Sequence, residues 1–109
     1  MTKDEARKFC AGVAALRTHF DLSLLDLSKV CGGVKSGVSK ATAERICNGK
    51  ISLEHASRIK PVVIEHLYSF LRRRGLTDKE VSNQLKSIST GEEYIANARL
   101  GVRVELGAA

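Results

Sequence analysis

Two short helical patterns joined by a glycine-bounded turn constrain this chain more than any other feature. Leu24, Leu27, Val30 and Cys31 line one face of a segment that Ser23 and Asp26 open in the manner of a capping box and Gly32-Gly33 closes. After the turn at residues 33–37, Ser39 is the N-cap of a second segment that Asn48-Gly49 ends. Its Ala43, Ile46 and Cys47 fall on one side, so both helices need a core supplied by the rest of the chain.

That core is written in the flanking segments. Residues 4–20 place Ala6, Phe9, Cys10, Val13, Leu16 and Phe20 at helical spacing. Ser52 caps a helix through Leu53, Ala56 and Ile59, and Pro61 either opens a further helix or kinks a continuous one. Val63, Leu67, Phe70 and Leu71 carry the apolar face on to Arg72-Arg73-Arg74, which reads either as a second basic patch or, the favoured reading, as a run of cations that complements a helix dipole. Thr77 and Glu80 form a capping box for a last helix bearing Val81, Leu85 and Ile88, ended by Gly91.

From Leu100 to Leu106 the period changes to two, with Val102 and Val104 alternating with Gly101, Arg103 and Glu105, as in a strand. A second copy, the upstream residues 94–98 or another protein are the candidate partners for that ladder. The expected fold is mainly α, a compact bundle of five to six helices containing a helix-turn-helix, with a C-terminal β-strand. Residues 1–91 form the helical domain and 92–109 a tail for dimerisation or partner binding.

At 109 residues one modest core is all the chain accommodates. Eighteen Lys and Arg against twelve Asp and Glu give a net charge of +6, which favours a polyanionic partner. No run approaches the roughly 20 apolar residues of a membrane span and no signal-peptide core follows the start, so a cytoplasmic location is expected. The three cysteines form no CxxC pair and read as buried thiols, and His19, His55 and His66 lack metal-ligand spacing. With no glycine-flanked nucleophile, phosphate loop or carboxylate pair, neither catalysis nor a cofactor is expected. Phe9, Tyr68 and Phe70 are too few, and too apolar in setting, for a base-stacking platform.

The charge is concentrated at the paired helices. Between residues 29 and 50 stand Lys29, Lys35, Lys40, Arg45 and Lys50 against one acid, Glu44. A turn linking two short helices, the second opening in small polar and basic residues, suits a helix laid in the major groove of duplex DNA. Lys40, Ala41 and Arg45 are the candidate base readers: Arg45 for a bidentate guanine contact, Lys40 for a guanine or phosphate, Ala41 for a thymine methyl. Lys35, Ser36, Ser39, Thr42, Asn48 and Lys50 are the candidate backbone contacts, which set register and salt dependence.

The pattern Val38-Ser39-x-x-Thr42-x-x-Arg45-Ile46-x-Asn48-Gly49-Lys50, with Leu27-Ser28-x-x-x-Gly32 upstream, resembles the Cro and lambda repressor-like (Xre-like) helix-turn-helix family. The resemblance covers roughly residues 23 to 60, about a third of the chain. It implies base reading by Lys40, Ala41 and Arg45 and backbone contact by Asn48 and Lys50. Two features depart from the family: Leu24 stands where a phosphate-clamping Gln is usual, and residues 33–37 enlarge the turn by about five positions. The insertion either alters the angle between the two helices or adds a phosphate contact through Lys35 and Ser36.

The expected function is that of a sequence-specific double-stranded DNA-binding transcriptional regulator, a homodimer on a two-fold operator, because one short helix reads too few base pairs alone. The alternative is an adaptor, antitoxin-like or a mobile-element accessory factor, in which the tail binds a protein partner and DNA binding is secondary.

Overall fold

The computed structural model describes residues 1–90, with side-chain surroundings to residue 86. Five α-helices are found among the described residues: α1 (Lys3–His19), α2 (Leu24–Val30), α3 (Lys40–Cys47), α4 (Leu53–Arg73) and α5 (Asp78–Thr90). A short 3-10 turn, Val34–Ser36, lies between α2 and α3. The mainly helical bundle expected from the periodicity is the observed architecture. The strand at residues 100–106, and the tail of which it is part, lie outside the described residues.

Each helix begins where a side chain replaces a missing backbone partner. Thr2 and Glu5 form a reciprocal capping box at α1, and Thr77 and Glu80 do the same before α5. Ser23, Ser39 and Ser52 each accept from the amide three residues on. At Ser23 only that half of the expected box is made, through the Asp26 amide.

The stops share one geometry. At the ends of α1, α2, α3 and α4 a residue with positive φ (Asp21, Gly32, Gly49 and Gly75) turns the chain back, and the next amide bonds a carbonyl five residues earlier. This pairing satisfies carbonyls that the helix end leaves open.

Pro61 lies inside α4, so the single continuous helix is realised and the division into two is not. Its missing N–H forfeits one helical hydrogen bond, but Ala56, Ile59, Val63, Leu67, Phe70 and Leu71 on either side all bury against the bundle. That shared apolar face holds the helix together across the gap.

The core is built from Phe9, Val13 and Leu16 of α1, Leu27 of α2, Ala43 and Ile46 of α3, Val63, Leu67 and Leu71 of α4, and Val81 of α5, all fully buried. Burying each large aliphatic or aromatic side chain contributes about 1.5–3 kcal/mol. Helix α1 is the hub, packing on α3, α4 and α5, while α2 packs chiefly on α3. Near the C-terminal end of α1, Phe20 meets Phe70 edge to face, and the Arg74 guanidinium lies 5.5 and 5.0 Å from the two ring centroids. One member of the arginine run is thereby engaged with aromatic rings, in addition to any effect of the helix end.

Candidate nucleic-acid interface

Helix α3 divides sharply between two faces. At about 100° per residue, Thr42, Ala43 and Ile46 share one side, and all three are buried. Lys40, Ala41, Glu44, Arg45 and Asn48 share the other, and all five are exposed. Cys47, expected in the core, is half-buried at the boundary. The three expected base readers thus lie together on one open face, in the first two turns of the helix.

Among the described residues no salt bridge engages Lys40, Arg45 or Lys50, whereas Arg7 and Lys8 pair with Asp4, and Arg72 with Asp78. Among the described residues, the charge of these cations is offset on this face by Glu44 alone. Asn48 is the C-cap of α3, with its side chain exposed, and Lys50 follows, also exposed.

Two expected backbone contacts do not fit their surroundings. Thr42 is 5% exposed, and its hydroxyl lies 3.2 Å from the Ser39 Oγ that donates to it. Ser39 is half-buried, and the same oxygen accepts from the Thr42 amide at 3.1 Å. Both side chains are committed to starting α3, so a phosphate contact from Thr42 is excluded by burial and one from Ser39 competes with its cap.

The turn at residues 33–37 also divides. Lys35 is exposed, and Val34 beside it is 77% exposed. Ser36 is half-buried, its Oγ 3.3 Å from His66 Nε2 on α4. Of the two residues expected to meet phosphate here, Lys35 alone faces outward.

Three positions that sequence reading left without a role hold the unit in shape. Ser28 Oγ donates to the Val38 carbonyl at 2.6 Å, tying α2 to the residue before the cap of α3. Arg17 Nε donates to the Leu22 carbonyl at 2.9 Å, fixing the approach to α2. His66 braces the turn at residues 33–37 through Ser36. These are contacts between residues up to 30 positions apart, for which periodicity carries no signal.

The thiols are muted. Burial pushes Cys31 up to about 12 from an ordinary value of 9.0, and it also raises Cys10 and Cys47. Among the described residues no group of three or more His, Cys, Asp or Glu is arranged to hold a metal ion. No described helix is long and apolar enough to cross a membrane. Comparison of the chain with protein-family models, curated proteins and solved structures gives no match.

Proposed function

We propose that the chain is a sequence-specific double-stranded DNA-binding regulator of transcription, acting as a homodimer on a two-fold site. The observation that carries this reading is the outward face of α3, where Lys40, Ala41 and Arg45 stand exposed on a helix whose opposite side is sealed in the core. In a major groove, Arg45 would bond a guanine and Ala41 would meet a thymine methyl, while Lys35, Asn48 and Lys50 hold phosphates. Glu44, within the same face, would reject a phosphate and accept from a cytosine amine, which sharpens selectivity.

Selection of bound sites from a random duplex pool tests the reading. A two-fold site is the expected product, and absence of any enrichment refutes it. On the selected site, Arg45→Ala is expected to cost about 1–3 kcal/mol and relax preference at one base pair. Should neither Arg45→Ala nor Lys50→Ala alter DNA affinity while a protein partner still co-purifies, the adaptor reading replaces this one. Ending the chain at residue 91 is expected to give a monomer with weakened operator binding. An unchanged dimer in the ultracentrifuge assigns the interface elsewhere.

A further inference from the structure

The enlarged turn before α3 is a seated element. The Ser36 and Val38 amides both donate to the Gly33 carbonyl at 3.0 Å, and the Gly37 amide donates to the Val34 carbonyl at 2.9 Å. On one side the turn rests against α4, where Ser36 Oγ meets His66 Nε2 at 3.3 Å. A Cβ added at Gly32 would fall 2.7 Å from His66 Cδ2 and equally close to Ser36 Cβ and Oγ, so these three residues are in close contact. Seven residues before His66 on α4, and so on the same face, Ile59 lies beneath Gly37.

On the other side the turn runs directly into α3. Val38 is fully buried with its carbonyl held by Ser28, and Ser39 is the cap. Only Gly37 and Val38 separate the residue touching His66 from the first residue of the DNA-facing unit.

We propose that His66 is a positioning residue: by seating Ser36 on α4 it fixes the angle at which Lys40, Ala41 and Arg45 are presented to DNA. This inference rests on the DNA-reading function proposed above. It assigns the insertion to the setting of that angle. Base-reading groups need placement to within about 0.5 Å. Helix α3, eight residues long, hangs on a link containing three glycines at positive φ. Such a link has much conformational freedom of its own, and an outside brace removes it.

The test uses the full chain with His66→Ala, His66→Gln and Ser36→Ala, and with Arg45→Ala as the control for DNA reading. Amide hydrogen exchange at residues 36–38 reports the brace without DNA. Affinities for the selected site and for an unrelated duplex report its consequence. His66→Ala and Ser36→Ala are each expected to speed that exchange and lower the specific-to-unrelated affinity ratio by roughly two- to tenfold, the range one net hydrogen bond spans. Binding to the unrelated duplex stays unchanged, and His66→Gln, which keeps a polar group in reach of Ser36, restores much of the ratio.

Unaltered exchange overturns the brace. Faster exchange with an unaltered ratio, while Arg45→Ala lowers it, overturns the positioning role. If Arg45→Ala also leaves the ratio unaltered, the DNA-reading function itself fails and the positioning role falls with it. Should His66→Ala fail to fold in a thermal scan, Ser36→Ala, at a half-buried surface position, carries the same comparison.

Discussion

Cys31 shows how one buried atom acquires a pH signature. Its thiol is sealed at the end of α2, and burial raises its pKa from 9.0 to about 12. The folded state therefore favours the neutral thiol. Its contribution to stability is complete below pH 9 and declines as pH rises through 9 towards 12. Cys31→Ala removes this contribution, so the wild type is expected to lose stability relative to the variant across that window, as measured by urea unfolding at a series of pH values.

Ser28 carries a different kind of cost. With Ser28→Ala the Val38 carbonyl loses the hydroxyl that donates to it in a buried site, and a loss of about 1–3 kcal/mol is expected in denaturant titration. Asp21 works the other way. It holds φ at 53°, the only non-glycine with positive φ among the described residues, and Asp21→Gly is expected to raise stability by up to about 1 kcal/mol in the same assay.

Among the elements, α4 has the most to gain from a single change. Pro61 is exposed inside a 21-residue helix, so Pro61→Ala restores a backbone donor without disturbing packing. A gain of about 1–3 kcal/mol is expected, read as a higher denaturation midpoint. The sequence left Pro61 open between a kink and a helix start because its own chemistry permits both. What decides the matter is the apolar face shared by Ile59 and Val63, a tertiary effect. The helices themselves were legible because caps, glycine stops and periodicity agreed at nearly every boundary. The exposure of the candidate site was legible in half. Spacing put Lys40, Ala41 and Arg45 on one face, but Thr42 looked polar and available until Ala43 and Ile46 drew it into the core with them. The brace between Ser36 and His66 spans 30 residues, and nothing local announces it.

At the scale of the whole molecule, the proposed binding of duplex DNA by a chain of charge +6 is expected to weaken as salt rises. Lys35→Ala and Lys50→Ala are each expected to flatten the plot of log affinity against log salt by roughly one unit, without altering site preference. A variant that shifts preference while keeping the slope would mark its residue as a base reader instead.

The two-faced character of α3 has a practical side. Positions 40, 41, 44 and 45 support none of the core, so a library randomised there is expected to leave the scaffold's melting point nearly fixed and, under the proposed function, to vary the target sequence. Positions 42, 43 and 46, locked into the bundle, set the limits of that library. If the proposed function holds, α3 is in this sense a small, retargetable reading head, with tolerance and constraint alternating along eight residues.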